Sequence, residues 1–344
     1  MPKRQVTIPV FIPHLGCRHR CIFCNQWGTT DAPEIPSPDS IDALVGQYAP
    51  FIKKTVTRVE LAFFGGSFTG IPHDLQESYL AAACRHLDAG TIHGIRLSTR
   101  PDYITPSALD LLRKYRVSTV ELGAQSFDDD VLTASGRGHT ASDIAAAAGL
   151  IAEYGFGLVI QLMPGLPRDT GETALASARA AADLNPEAVR IYPAVVLAGT
   201  AMERLYRENA FAPLSLEDAV EICAKMYRLL LARTIRVIRM GLHPFAPGQA
   251  QTIIAGPYHP SFGYLVKSRA RRNEMAGIIE THLKTGGISA RQSLRIVIPE
   301  LFKEEYIGRC RDNIRYLERI FNLQKIDYTV GPVPGMQITH TRCA

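Results

Sequence analysis

The chain is expected to fold as an α/β protein, a partial (β/α)6 barrel carrying a small C-terminal α/β appendage. Three observations support this. Six short apolar segments recur along residues 5–192, most of them separated by a helical stretch. Short apolar strands alternating with helices suit a parallel sheet wrapped by helices. The segments richest in Cys, Gly, Ser, Gln and Arg each fall just after a strand, the end of a parallel barrel where chemistry gathers. Finally, the last fifty residues carry a β-α-α-β alternation of their own.

The first strand is the run Val6–Phe11. Ser37-Pro38-Asp39-Ser40 then punctuates the chain and opens a helix expected to reach about Lys54. Arg58–Phe64 is the second strand, His73–Leu87 the next helix, and Gly94–Ser98 the third strand. Thr105-Pro106 begins a helix, with Pro favoured in the first turn. The strand Thr119–Leu122 precedes an Ala-rich helix from Thr140 to Tyr154. Gly157–Leu162 and Ala188–Tyr192 are the fifth and sixth strands, flanking a helix from Thr170 to Leu184. A long helix, Leu216–Ala232, leads to a further strand, Ile235–Met240. The Gly- and Pro-rich loop 241–260 marks a transition, and Phe262–Leu283 is a helix ended by Gly286-Gly287. The expected domains are a barrel over 1–240, a helical extension over 241–290 and a small basic module over 291–344.

At 344 residues, 46% hydrophobic and 21% charged, the chain can bury a large core. No apolar run reaches the roughly 18 residues that span a bilayer. Met1–Arg4 runs straight into a strand, without a signal-peptide apolar region. The expected location is the cytoplasm, where thiols stay reduced. Cys84, Cys223, Cys310 and Cys343 are scattered and are assigned no disulfide. Residues 260–344 hold 14 Lys/Arg against 8 Asp/Glu, a net of +6 in a chain of net +5. The basic surplus therefore belongs to the C-terminal quarter, as a solvated face or as a polyanion-binding surface.

Chemistry centres on Cys17, Cys21 and Cys24, spaced Cys-x3-Cys-x2-Cys directly after the first strand. Thiolates so spaced can wrap one loop around a 4Fe-4S cluster. A cubane takes four ligands and this loop supplies three, so one iron stays open. Zinc is the competing metal, with His14 or His19 as further ligands, but no second ligand pair follows. Gly65-Gly66-Ser67 ends the second strand, where glycines let backbone approach a ligand closely or simply form a tight turn. Ser98-Thr99-Arg100-Pro101-Asp102 ends the third; Arg100 and Asp102 either act on a ligand or pair with each other. Gln125 ends the fourth strand, Arg137 follows in Gly136-Arg137-Gly138-His139-Thr140, and Gln161 lies in the fifth. A buried amide can bind ribose hydroxyls, and a guanidinium can clasp a carboxylate bidentately.

The cysteine loop resembles the signature of the radical S-adenosylmethionine (radical SAM) enzymes. In that family the open iron takes the amino and carboxylate groups of SAM. Gly65-Gly66-Ser67 resembles their Gly-Gly-Glu motif, with Ser67 replacing the acid. Thr99–Asp102, Gly123–Ser126 and Arg137–Thr140 resemble motifs of the Elongator catalytic subunit, the last two shared with oxygen-independent coproporphyrinogen oxidases. Ile191–Thr200 is closer to the Elongator subunit. The resemblance covers about residues 5–240. It implies that Gly65, Gly66 and Ser67 orient the SAM amino group, Arg137 its carboxylate, and Gln125 and Gln161 its ribose. Ser98 stands where the Elongator family has Glu. The resemblance does not extend to the acetyltransferase domain that follows in the Elongator subunit, nor to the extra cysteines and basic segment of its N-terminus, so acetyl-coenzyme-A chemistry is not expected of these residues.

The tail's turn, Ile307-Gly308-Arg309-Cys310-Arg311-Asp312-Asn313-Ile314, resembles a minimal KH module, in which a Gly-x-x-Gly loop clamps single-stranded RNA. Arg311 replaces the second glycine. Gly308, Arg309 and Arg311 are the candidate RNA contacts, with a plain α/β cap as the alternative. The expected function is reductive cleavage of SAM at a 4Fe-4S cluster to a 5′-deoxyadenosyl radical that modifies RNA, with tRNA as the expected substrate. A low-potential electron donor is the implied partner. The alternatives are a radical SAM oxidoreductase or transferase acting on a small molecule such as a tetrapyrrole, and a non-catalytic iron–sulfur RNA-binding protein.

Overall fold

The structure, a computed structural model, describes residues 4–26, 34–52, 56–243, 252–285 and 291–342. It falls into two compact units, Met1–Ala219 with Leu229–Pro260, and Val220–Arg228 with Ser261–Ala344.

The first unit is built on a seven-stranded sheet: β1 (Arg4–Ile12), β2 (Val56–Gly65), β3 (Gly94–Thr99), β4 (Thr119–Gln125), β5 (Gly157–Leu162), β6 (Ala188–Ile191) and a further strand, Arg236–Met240. These strands lie side by side in chain order, and every neighbouring pair is parallel. The expected partial barrel is therefore present, with a seventh strand closing the row where the sequence showed six regular units. The helices between strands are α1 (Ser40–Tyr48), α2 (His73–Asp88), α3 (Pro106–Lys114), α4 (Asp129–Ala134), α5 (Ala141–Glu153) and α6 (Gly171–Asp183).

Period-2 alternation decides what each face of the sheet meets. Ile8, Val10 and Ile12 of β1, Leu61 and Phe63 of β2, and Ile95 and Leu97 of β3 are all buried. Phe63 meets Tyr79 of α2 edge-on at 5.8 Å, so this is the helix-covered face. The opposite face carries Glu60, Arg96, Glu121 and Arg190. The Arg190 guanidinium lies 5.2 Å from the centre of the Phe64 ring. Phe64 is on β2 and Arg190 on β6, four strands apart, which a flat sheet would hold roughly 19 Å from each other. The sheet therefore curls, and the charged face is its concave side.

Capping follows the sequence signals. Thr105 accepts from the Ala108 amide at the start of α3, and Thr140 and Asp143 form a reciprocal capping box on α5. The helix expected to reach Lys54 ends at Tyr48. A short 3-10 turn, Ala49–Phe51, follows, because Pro50 cannot continue an α-helix. Lys54 itself lies outside the described residues, as do Gly286, Gly287 and Cys343. Beyond β6 come β7 (Val196–Leu197), α7 (Ala201–Arg207), α8 (Leu216–Ala232), β8 (the strand Arg236–Met240) and β9 (Ile253–Ala255), with β9 pairing antiparallel to β7. No helix of the described residues is long and apolar enough to cross a membrane.

The second unit contains α9 (Phe262–Lys284), β10 (Ser293–Pro299), α10 (Lys303–Ile307), α11 (Asp312–Ile320), β11 (Lys325–Gly331) and β12 (Gln337–Arg342). Its sheet runs β11-β10-β12, with β10 parallel to β11 and antiparallel to β12. Leu294, Ile296 and Ile298 of β10 pack with Met275, Ile279, Ile314, Leu317 and Ile326 in a separate core. The basic residues of α9 are internally matched: Arg269 pairs with Glu221 at 2.9 Å, and Arg271 with Glu274 at 2.9 Å and Glu305 at 3.6 Å. Arg272 stacks 3.9 Å over the Tyr316 ring. A polyanion-binding face is thus not what this cluster offers.

Candidate iron–sulfur and SAM site

The cysteine loop leaves β1 and is fastened at its base. The Gln26 amide donates to His14 Nε2 at 3.0 Å, Gln26 Nε2 donates to the Gly65 carbonyl at 2.7 Å, and Gln26 Oε1 accepts from the His14 amide. His14 Nε2 thus spends its lone pair on the loop, and burial together with the Arg20 charge lowers its pKa. With that lone pair engaged, Nε2 is not free for a metal. His19 packs its ring against Gly138.

The Gly65-Gly66-Ser67 turn docks onto this loop. Gly66 donates to the Ile12 carbonyl at 2.8 Å and Ser67 to the Leu15 carbonyl at 3.0 Å. A Cβ on Gly66 would lie 2.0 Å from the Leu15 carbonyl oxygen, and Gly65 has φ +106. The close approach these glycines permit is to the cysteine loop itself. Cys17 Sγ then lies 3.4 Å from Ser67 Oγ.

Arg137, buried in the loop between α4 and α5, donates from Nη1 to Cys21 Sγ at 3.0 Å and from Nη2 to the Gly123 carbonyl. Arg100 reaches toward the same sulfur at 3.9 Å while gripping Asp102 bidentately, at 2.9 and 3.1 Å. It also donates to the Arg137 carbonyl, so it steadies Arg137 as well as pairing locally. Gln125 takes a left-handed backbone, φ +72, rare for a residue with a side chain and frequent at functional sites. Its Oε1 accepts from Gln161 Nε2 at 3.1 Å. The structure therefore brings together Cys17 with Ser67, Cys21 with Arg137, and Gln125 with Gln161. Ser98 stands apart from these bonds.

The donor set was tested against the metals it could hold. Among the described residues no three His, Cys, Asp or Glu side chains converge on a single metal ion. Burial, then the neighbouring Cys21 and Cys17, push the Cys24 thiol up to about 12, with Gln26 and Arg137 opposing. Three thiols close enough to resist one another's ionisation fit a polycationic cluster, and guanidinium donors on Cys21 suit a thiolate.

Sequence reasoning passed over the charges of the concave face. Glu60, Arg96, Glu121 and Arg190 sit at alternate positions of otherwise apolar strands, and that alternation was the available signal. It also passed over His139, whose ring is fully buried beside Arg100, Asp102 and Arg137.

In the second unit, Gly308 is buried and has φ +75; a Cβ there would meet Asn313 at 3.0 Å. The side of the glycine where a Cβ would stand thus faces its own loop. Arg309 and Arg311 are exposed.

The site thus joins a curled parallel sheet, a three-cysteine loop after its first strand, a Gly-Gly turn docked on that loop and a buried arginine against one of the cysteines. The sequence matches the radical SAM superfamily over residues 11–181 and the radical SAM C-terminal domain over residues 186–272. The chain belongs to the radical SAM superfamily and is an enzyme of that class, with a 4Fe-4S cluster and SAM as its cofactors. It is 27% identical over 239 residues to a tRNA uridine(34) acetyltransferase of Dehalococcoides mccartyi, covering 60% of this chain and 52% of that protein. It is 24% identical over 225 residues to Elongator complex protein 3 of Saccharomyces cerevisiae, covering 56% and 40%. The chain thus spans about half the length of the curated relatives it matches. Among solved structures, the archaeal Methanocaldococcus infernus Elp3 with an N-terminal deletion shares the fold. The TM-score is 0.59 at 20% identity, covering 85% of this chain and 65% of that one.

Proposed function

We propose that the chain binds a 4Fe-4S cluster through Cys17, Cys21 and Cys24, cleaves SAM there, and modifies an RNA, with tRNA the preferred substrate. Bound together, cluster and SAM supply a 5′-deoxyadenosyl radical that abstracts hydrogen from the substrate. The protein's part is to position and to exclude water. Arg137, buried and already facing Cys21, takes the SAM carboxylate in a charge-assisted contact. Carbonyls of Gly65 and Gly66 and the Ser67 hydroxyl receive its ammonium. Gln125, Gln161 and Ser98 take the ribose. The observation that carries this reading is the meeting of Cys21, Arg137 and the Gln125–Gln161 pair at the C-terminal ends of the strands.

The RNA substrate rests on the relatives named as tRNA-modifying enzymes and on the exposed Arg309 and Arg311. The matched charges of α9 and the buried Gly308 favour a second reading, a small-molecule substrate with the second unit as a structural cap. Anaerobic incubation with SAM, a low-potential reductant and bulk tRNA, followed by nucleoside mass spectrometry, decides between them. A new nucleoside that requires SAM is the expected result. Cleavage of SAM with an unchanged nucleoside profile would sink the RNA reading and leave the small molecule.

A further inference from the structure

The concave face of the sheet holds charges that the proposed cofactor contacts do not use. Glu60 is matched by Arg96 at 2.8 Å and Arg58 at 2.9 Å, and Glu121 by Arg190 at 3.0 Å. Both buried carboxylates are therefore neutralised. Arg239, on the edge strand β8, is a cation left over. Among the described residues no carboxylate lies within ion-pair distance of it, and its side chain donates from Nε to the Gly241 carbonyl at 3.2 Å.

A bulge sets its position. Along the β6–β8 pair, Val189 stands opposite Val237 and Arg190 opposite Arg239, so Ile238 is an extra residue on β8. In a register without the bulge, Ile238 would face Arg190, and Arg239 would turn to the other side of the sheet. Bulges beside active sites often re-aim a side chain in this way. The result is two arginines side by side on adjoining strands, whose backbones run about 4.8 Å apart. Like charges directly opposite one another are unfavourable, and burial with the Arg190 charge lowers the Arg239 pKa, with Tyr192 opposing. Tyr192 Oη accepts from Arg190 Nη1 at 3.0 Å, which leaves its own hydrogen to donate. On the other side of Arg190 its register partner on β5 is Gln161, so the arginines continue the row that begins with the Gln125–Gln161 pair.

The geometry points to a phosphate subsite in the barrel: Arg190, Arg239 and the Tyr192 hydroxyl take a phosphate group of the substrate. The Nη groups of Arg239, the Arg190 donors not spent on Glu121 and Tyr192, and the Tyr192 hydroxyl approach from more directions than a planar carboxylate accepts, and they suit a tetrahedral oxyanion. This inference rests on reading the concave face as the substrate chamber. An RNA phosphodiester beside the modified nucleotide is the preferred source, and a small phosphorylated molecule is the other.

The test titrates inorganic phosphate, and separately tRNA, into the cluster-loaded protein with SAM. Arg239→Gln leaves the Glu121–Arg190 pair in place, and Arg239→Lys restores the charge. Wild type should bind phosphate, read as broadening of the phosphorus resonance. Arg239→Gln should weaken that binding about tenfold or more, Arg239→Lys should recover part of it, and acetate should compete poorly. Three results would overturn the subsite: no phosphate binding by wild type, equal binding by Arg239→Gln, or equal competition by acetate. The tRNA arm assigns the source. Weaker tRNA binding with a salt slope shallower by about one unit supports a phosphodiester. Lost phosphate binding with unchanged tRNA affinity supports the subsite with a small phosphorylated ligand and counts against the RNA reading alone.

Discussion

Gly66 has no room for a methyl group, and the obstacle is backbone. Its absent Cβ would meet the Leu15 carbonyl at 2.0 Å, so Gly66→Ala must displace either the turn or the cysteine loop. We expect a loss of roughly 1–3 kcal/mol, typical of forced overpacking, together with poorer iron retention. Thermal melting and iron analysis would show it; a variant that melts and holds iron like wild type would refute the docking role. Arg137→Ala should weaken SAM binding by about 1.5–3 kcal/mol, the range for hydrogen bonds to charged groups. Equilibrium dialysis on the reconstituted protein reads this directly, and unchanged affinity would contradict the assignment.

His139 gives a pH signature. Burial, then the charges of Arg137 and Arg100, lower its pKa to about 4, with Asp102 opposing. Below the unfolded value near 6.5 the unfolded chain takes up a proton that the folded chain refuses, so stability falls as pH drops from about 6.5 to about 4. The effect is on the order of 3 kcal/mol. Denaturant titrations of cluster-free protein should show a steeper acid loss for wild type than for His139→Gln; parallel curves would exclude His139 as the source. The cysteines, Arg137, Gln125 and Gln161 stand out in the sequence as candidates because their motifs fall at or just beyond the C-terminal ends of strands. What Gly66 touches, and the grip of Gln26 on His14, depend on contacts between distant loops and were not.

At the scale of elements, the strands were legible because their helix-facing positions are apolar without interruption. Their concave positions are not, and Glu60, Arg96, Glu121 and Arg190 were hidden inside runs read as simply hydrophobic. The short pieces α4, α7, β7 and β9 carry too few residues for a periodic signal, and β12, Gln337–Arg342, is too polar to read as a strand. The bulge at Ile238 is invisible to pattern reading, since register depends on the partner strand. In the second unit, Asn313 ties the α10–α11 turn to α9. Its Nδ2 lies 2.9–3.3 Å from the Ser268 carbonyl and hydroxyl and the Glu305 and Tyr306 carbonyls, which share its two hydrogens. Asn313→Ala strands these buried acceptors and should cost roughly 1–3 kcal/mol. Chemical denaturation followed by tyrosine fluorescence would measure it, and an unshifted midpoint would show that the turn holds without the amide.

Over the whole molecule, charge is divided as the chain is. The positive excess lies in residues 260–344, yet α9 spends its share on Glu221, Glu274 and Glu305. Composition counts charges and not partners, which is why a basic tail overstated the free positive surface. The barrel unit holds the proposed chemistry, and one measurement tests it most directly. Wild type and Cys21→Ala are reconstituted anaerobically and incubated with SAM and a low-potential reductant, and 5′-deoxyadenosine is quantified against bound iron and sulfide. The account predicts 5′-deoxyadenosine from wild type alone, with iron and sulfide sharply reduced in Cys21→Ala. Full cluster occupancy in Cys21→Ala, or no 5′-deoxyadenosine from a fully loaded wild type, would contradict it.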